Sequence, residues 1–286
     1  MQRYTLQKIL QLTVEHFAKL ELPTPRLDAE VLLADMLGIE RIQLYVRFDQ
    51  PLNKEEVDRF RERVRARSKR CPVAYITGKK EFMSREFKVS REVLIPRPET
   101  EHLVEAVIEH LKEREEQELM VADIATGSGV VAVSLAASLP GLKLVATDLS
   151  SAALKLAAIN ARQQGVTDRI ELLQGHLLEP LPSKSFDVLV SNPPYIPSSE
   201  YKGLLPEVKD YEPREALVAG EDGLKYLKPL ISGAGEYLTP GGLLALELGA
   251  DQLEDVTTLL GEANYSRQRV IKDYAGISRV VLATYN

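Results

Sequence analysis

Three short runs bring together residue types that can hold a small molecule and act on it. The first is Asp123-Ile124-Ala125-Thr126-Gly127-Ser128-Gly129, which follows an apolar run and opens a helical pattern. Small residues let the backbone approach a ligand closely, and a helix N-terminus offers unpaired N–H groups to a carboxylate or phosphate. The run lacks the Gly-Lys-Ser/Thr of a P-loop and the GxGxxG of a dinucleotide turn, so taken alone it also reads as a bare strand-to-helix turn. The second is Asp148, at the end of Val145-Ala146-Thr147-Asp148. A carboxylate there can accept both hydrogen bonds of a ribose diol, or it can cap the helix that begins near Ser150 and Ser151. The third is Ser191-Asn192-Pro193-Pro194-Tyr195. Two consecutive prolines remove two donors and fix the backbone, which leaves neighbouring carbonyls as acceptors. Asn192 adds a side-chain carbonyl and Tyr195 a flat face, a combination suited to a planar –NH₂ group. The alternative is a structural Pro-Pro turn.

These runs need a scaffold that aims all three at one place. From residue 119 the pattern alternates between strands and helices. The expected strands are 119–124, 142–147, 170–174, 186–191 and 243–248, with helices at 130–138 and 151–164 between the earlier ones. Continuous apolar strands separated by helices indicate a mostly parallel sheet covered on both faces, and such a sheet binds ligands at the carboxyl ends of its strands. Arg267 to Ile271 and Arg279 to Thr284, joined through a turn at Gly276, read as a hairpin and therefore as an antiparallel strand at the end of the sheet.

The first seventy or so residues read as short helices. Leu6, Ile9, Leu10 and Phe17 recur near helical spacing, Thr24-Pro25 starts a helix that Gly38 stops, and Asn53 with Glu56 forms a capping-box pattern ahead of Val57, Phe60 and Val64. Tyr75 to Phe82 and Arg85 to Val89 read as a β-hairpin, and a helix is expected from about Glu99 to Glu116. The segmentation is then a small all-α domain at 1–74, a β-hairpin linker at 75–95 and an α/β domain at 96–286.

Composition narrows the function. The chain has 286 residues, 44% hydrophobic and 27% charged, which is globular composition and enough for one large or two ordinary domains. The single cysteine, Cys71, excludes an intramolecular disulfide framework and fits a reducing compartment. There is no apolar run of bilayer length, and Met1 to Thr5 shows no apolar leader, so a cytoplasmic protein is expected. With 36 basic and 42 acidic residues the net charge is −6, which provides no global field for nucleic acid. Between Lys54 and Arg70, eight basic residues face four acidic ones, either as a local patch or as a solvated helix face. His16, His102, His110 and His176 show no metal-ligand spacing.

With these residues in view, the chain resembles the class I S-adenosylmethionine (SAM)-dependent methyltransferases, and within them the PrmC/HemK family, which methylates glutamine N5 in class I peptide chain release factors. Asp123 to Gly129 and Asn192 to Tyr195 are shared with relatives such as DNA adenine-N6 methyltransferases. Narrower markers are Ala74-Tyr75-Ile76-Thr77-Gly78, Ile95-Pro96-Arg97-Pro98-Glu99-Thr100-Glu101, Glu212-Pro213-Arg214, Ala216-Leu217 and Gly220-Glu221-Asp222-Gly223-Leu224. The resemblance implies a Rossmann-like seven-stranded sheet with an antiparallel terminal strand, preceded by the helical domain as a substrate-recognition unit.

It also implies a cofactor site. Asp123, Ala125, Thr126, Gly127, Ser128 and Gly129 would hold the methionine part of SAM, Asp148 the ribose, and His176 and Leu177 the adenine, with Asn192 nearby; S-adenosylhomocysteine (SAH) is the product and no metal is needed. Asn192, Pro193, Pro194 and Tyr195 would bind the glutamine of a Gly-Gly-Gln loop, with Asn192, Pro193 and Tyr195 as the catalytic set. In that scheme the Asn192 oxygen and the Pro193 carbonyl accept the amide N–H bonds while Tyr195 packs on the amide plane.

Two positions depart from the family pattern. Ala125 stands where glycine is frequent, harmless at negative φ and strained by about 1 kcal/mol or more at positive φ. His176 stands where aspartate is common. Arg97, Glu99 and Glu101 read either as groups at the cofactor mouth or as charges of a helix N-terminus, and Glu247 interrupts an apolar strand end. The expected partner is a class I release factor, with no direct nucleic acid or membrane contact and the chain acting as a monomer. The competing functions are N5-glutamine methylation of a ribosomal protein, adenine-N6 methylation of nucleic acid, and a non-catalytic SAM-binding adaptor.

Overall fold

A computed structural model describes residues 4–112, 118–182 and 186–286. The chain divides into two compact units, Met1–Lys79 with Leu205–Tyr211, and Lys80–Leu204 with Glu212–Asn286.

The first unit is helical: α1 (Leu6–Lys19), α2 (Pro25–Leu37), α3 (Arg41–Val46), α4 (Lys54–Ser68) and α5 (Val73–Thr77). Leu6, Ile9, Leu10 and Phe17 form the buried stripe of α1 and meet Leu32, Leu33, Leu44 and Phe60 in one core. The capping box is present at Asn53 and Glu56. Thr24 does precede α2, but its hydroxyl donates to Asp28 Oδ1 at 2.7 Å instead of capping the helix, and Gly38 ends α2 in the left-handed conformation. The expected hairpin starts later than residue 75. Pro72 precedes a helical turn whose Val73 and Ile76 pack on the core, and Gly78, at φ 73°, closes it.

The second unit begins with β1 (Lys79–Phe82) and β2 (Arg85–Lys88), joined by Met83 and Ser84, both at positive φ as a two-residue hairpin turn requires. There follow α6 (Glu99–Lys112), β3 (Met120–Ile124), α7 (Val130–Ser138), β4 (Lys143–Asp148), α8 (Ser151–Gln163), β5 (Ile170–Gln174) and β6 (Phe186–Ser191). The part of the expected 99–116 helix beyond Lys112 lies outside the described residues. The chain then passes through α9 (Pro206–Lys209), within the 205–211 segment of the first unit, and returns as α10 (Leu227–Gly233), β7 (Leu238–Glu247), α11 (Leu253–Glu262), β8 (Tyr265–Lys272) and β9 (Ser278–Tyr285).

The seven-stranded sheet has the order β5-β4-β3-β6-β7-β9-β8. Its strands from β5 to β7 pair in parallel, and β9 pairs antiparallel with both β7 and β8. The antiparallel strand is thus the last in the chain but lies one place in from the edge, with β8 outside it. Alternate strand residues enter two cores. Val121, Leu144, Val188 and Leu243 meet the apolar faces of α6 and α7, whereas Ala122, Val145, Leu189 and Leu244 meet α10 and α11. This double coverage is why the strands read as unbroken apolar runs. No described helix is long and apolar enough to cross a membrane.

Candidate active site

The register aligns the three chemical runs. Ile124 at the end of β3 lies opposite Thr147 of β4 on one side and Ser191 of β6 on the other. The turns that follow β3, β4 and β6 therefore leave the sheet side by side, around a cavity of about 430 Å³, within the size range of small-molecule sites.

Asp123 shapes the first turn from below. It is 1% exposed, and its Oδ2 accepts from the Thr126 hydroxyl at 2.5 Å and from the Ala132 N–H at 3.0 Å, which ties the turn to the first turns of α7. Burial pushes its carboxyl up to about 7 against these two bonds. Ala125 lies at φ 59°, the strained alternative for a residue with a Cβ. Gly129 marks a close approach of helices, since a Cβ there would lie 2.9 Å from Ala157 Cβ of α8.

Asp148 accepts from Gly127 N–H at 2.8 Å through Oδ2 and from Ser150 N–H at 2.9 Å through Oδ1. The cap of α8 is Ser150, which accepts from Ala153 N–H, so Asp148 is not the helix cap. It joins the β3 and β4 turns, and burial raises its pKa. Each carboxylate oxygen keeps further acceptor capacity towards the cavity.

In the third run Asn192 Nδ2 donates to Thr100 Oγ1 at 3.0 Å, which leaves Oδ1 as the acceptor available to a ligand. The Tyr195 hydroxyl donates to Glu247 Oε1 at 3.4 Å, and burial raises the phenol's pKa. The backbone carbonyl of Tyr195 accepts from Gln252 Nε2 at 3.0 Å, and the same Nε2 also donates to Gly223 O.

Of the sequence-derived residues, Asp123, Ala125, Thr126, Gly127, Ser128, Asp148, His176, Leu177, Asn192 and Pro194 line the cavity. Gly129, Pro193 and Tyr195 do not. Pro193 is buried, and Tyr195 turns its hydroxyl to a carboxylate, as a buried phenol needs a partner. Glu247 is 1% exposed and also lies behind the cavity wall.

Leu149 and Tyr226, which no motif in the sequence marked, also form part of the wall. Leu149 follows Asp148 directly and is 64% exposed, and an apolar residue left open at a cavity suits the flat face of a ligand. Arg97 also lines the cavity, and its Nη2 lies 2.6 Å from Oε1 of buried Glu212, whose Oε2 accepts from Ile95 N–H at 3.1 Å. Glu101 instead accepts from Met83 N–H, within the hairpin turn.

This donor set fits a nucleoside that carries an amino-acid tail. A carboxylate sits at the end of the second strand, a helix N-terminus faces the cavity, and Leu149, Leu177 and Tyr226 supply apolar wall. Among the described residues no group of three or more His, Cys, Asp or Glu side chains could hold a metal ion.

The geometry is matched by known proteins. Residues 8–78 match the PrmC N-terminal domain family, and residues 101–204 the methyltransferase small domain family. A methyltransferase structure from Pyrococcus furiosus superposes with a TM-score of 0.52 at 20% identity, covering 72% of this chain and 91% of that one, a likeness of fold alone. A release factor glutamine methyltransferase of Geobacter sulfurreducens is 42% identical over 278 residues, 97% of this chain and 96% of its own. Another from Moorella thermoacetica is 44% identical over 282 residues, 98% of each chain. Both alignments extend over nearly the whole chain, helical region and sheet together, and the chain therefore belongs to the family of release factor glutamine methyltransferases.

Proposed function

We propose that this enzyme transfers a methyl group from SAM to the side-chain amide nitrogen of the glutamine in the Gly-Gly-Gln loop of a class I peptide chain release factor. Bound SAM supplies the electrophilic methyl group; the chain's residues bind, orient and polarise. Asp148 holds the ribose hydroxyls, the Ala125–Ser128 turn and the α7 N-terminus hold the amino-acid tail, and Leu149, Leu177 and His176 bound the adenine.

The observation that carries the reading is Asn192, whose Nδ2 is engaged by Thr100 so that Oδ1 is the end offered to the cavity. An amide nitrogen is a poor nucleophile because its lone pair is delocalised into its carbonyl. An acceptor on one N–H fixes the amide plane and favours electron density on nitrogen as it pyramidalises. An acceptor also selects: a glutamate or ester in place of the amide leaves Oδ1 unpaired, at about 1–3 kcal/mol. Pro194 walls the same space. Pro193 and Tyr195 support it from behind, with Tyr195 held through its carbonyl by Gln252. The helical unit provides the second contact with the protein substrate, because a Gly-Gly-Gln loop is small and costly to order.

The test is incubation with methyl-labelled SAM and unmodified release factor, followed by peptide mass mapping. One added methyl on the Gly-Gly-Gln glutamine is expected. Asn192→Ala should lose turnover by orders of magnitude with SAM affinity mostly intact, and Asp148→Ala should weaken SAM binding in calorimetry. Label on another protein or on nucleic acid, with none on the release factor, overturns the substrate assignment.

A further inference from the structure

Gly220-Glu221-Asp222-Gly223-Leu224 is one of the runs that carried the family resemblance, yet none of its residues lines the cavity. Its segment is joined instead to the back of the third turn. Ile196 and Val218 form a short parallel bridge, in which Ile196 N–H donates to Leu217 O at 2.9 Å and Ala219 N–H donates to Ile196 O at 2.8 Å. Ser198 N–H then donates to Gly220 O at 2.7 Å.

Gln252 locks this join. It directly precedes α11, but its side chain does not cap that helix. Its Oε1 accepts from Gly249 N–H at 2.9 Å, and its Nε2 donates to Tyr195 O and to Gly223 O, each at 3.0 Å. A primary amide has two protons to give, and here each has its own carbonyl. The side chain is thereby satisfied at 8% exposure, and it ties together three segments that follow β6, precede α10 and follow β7. The join is tight enough to exclude a side chain at residue 223. Gly223 lies at φ 73°, and a Cβ there would stand 2.5 Å from Tyr195 O and 2.6 Å from Gln252 Nε2.

The third turn needs such a tether. Pro193 and Pro194 have no N–H, so nothing can fasten the turn through donors at those positions, while their fixed φ makes Asn192 to Tyr195 a stiff arm. Its near end is held by the Ser191 hydroxyl, which donates to Ile124 O at 2.7 Å, and by the bond from Asn192 to Thr100. Its far end is held at the Tyr195 carbonyl. Because the arm is stiff, a shift at the far end swings the acceptors with it.

We propose that Gln252 is a positioning residue for methyl transfer: by pinning the Tyr195 carbonyl against Gly223 it holds the Asn192–Tyr195 arm where its acceptors meet the substrate amide. This rests on Asn192 and Pro193 acting as those acceptors. Gln252 itself stands behind the cavity wall, and the turns assigned to the cofactor follow other strands. Turnover should therefore suffer, with cofactor binding spared.

The experiment measures kcat, release-factor KM and SAM affinity for the full-length protein and for Gln252→Glu and Gln252→Ala. The glutamate keeps the shape and can still accept from Gly249, but as a carboxylate it donates to neither carbonyl. Since a displacement of about 1 Å can cost on the order of 10²-fold in rate, kcat of Gln252→Glu should fall at least about tenfold. KM and SAM affinity should stay within about threefold, and Gln252→Ala should behave alike. Wild-type kcat in Gln252→Glu, or a loss of SAM affinity as large as the loss of kcat, overturns the inference while leaving the function intact. A wild type that methylates no release factor overturns the functional reading and the inference together. Should the variants not fold, the wild-type Gln252 side-chain NH₂ resonances carry the test. They should exchange slowly with solvent, and more slowly still with a Gly-Gly-Gln peptide and SAH bound, because coupling between two sites acts in both directions. Exchange at the rate of a free amide, or exchange that the peptide leaves unaltered, overturns the proposal.

Discussion

Ala125 holds a conformation that costs an L-residue energy, at the wall of the cavity. Its φ of 59° brings Cβ against the backbone, at about 1–2 kcal/mol. Ala125→Gly should therefore stabilise the protein by roughly 1 kcal/mol, less than the full strain because glycine gains freedom when unfolded. A urea titration checks this, and an unchanged or lower midpoint would mean that the methyl group has packing value exceeding its strain. Asp123 adds a pH dependence with a definite sign. An ordinary aspartate titrates near 4, whereas burial holds Asp123 at about 7 in the folded chain. Between these values the folded state retains a proton that the unfolded state has released. The stability from this group is complete below about pH 4 and declines as pH rises to about 7. Asp123→Asn should flatten that decline in urea unfolding between pH 4.5 and 7.5, since asparagine can still accept from Thr126 and Ala132 but has no proton to lose. An equal slope in the two proteins would show that Asp123 is ionised in the fold at its ordinary pKa.

At the scale of elements, two of the short runs that carried the family resemblance turn out to be one structure. Ile95 and Arg97 lie about 115 residues before Glu212, yet both hold its carboxylate at the cavity wall. Burial raises the pKa of Glu212 and Arg97 lowers it. Arg97→Leu leaves that carboxylate buried with a single backbone partner, at roughly 3 kcal/mol for a buried pair broken on one side. Half of that is a fairer expectation, because Arg97 keeps 30% of its side chain exposed. The loss should shrink as pH falls, because burial raises the pKa of Glu212 and Arg97 no longer opposes that rise, and Glu212→Gln in the same background should recover part of it. Stability that is independent of Arg97 at pH 8 would sink the clamp.

The strands of the sheet were legible because both of their faces are apolar, and the capping box because its two residues are three apart. Contacts between distant segments were not. Val73–Thr77 contains β-branched residues that favour a strand, but Val73 and Ile76 are drawn into a helical core. The hairpin of β8 and β9 shows in local spacing, whereas the choice of β9 to pair with β7 does not. Glu207 joins Arg67 and Arg70 in the first unit from about 140 residues away, and no local pattern announces it. The three turns of the site could be found because each is contiguous, whereas the Thr100–Asn192 bond joins residues about 92 apart.

At the scale of the whole molecule, charge decides what kind of substrate can approach. A net of −6 gives no long-range attraction for phosphates, so any attraction must come from a local patch such as the basic stretch on α4. Much of it is already used inside the helical unit. Arg67 is 5% exposed and lies 2.7 Å from Asp28, Arg63 pairs with Asp35, and Arg70 shares Glu207 with Arg67. Arg61 pairs with Asp58, and Arg59 donates to the Met36 carbonyl. Arg65 and Lys69 remain exposed near the C-terminal end of the helix. If this helix meets an acidic surface of the release factor, those two cations carry the attraction at its C-terminal end, with exposed Lys54 at its start. Charges at an interface rim act mainly on encounter rate and salt dependence. The double variant Arg65→Glu, Lys69→Glu should then raise the release-factor KM by about five- to tenfold at low salt, on the order of 1 kcal/mol. The gap from wild type should close as salt screens exposed charges beyond about 10 Å at 0.1 M. Turnover at saturating substrate and methylation of a short Gly-Gly-Gln peptide should not change, because such a peptide carries no acidic surface for the helix to attract. A KM that rises equally for peptide and protein would mean the substitutions disturb the fold, and a KM unchanged for the protein would remove α4 from the docking surface.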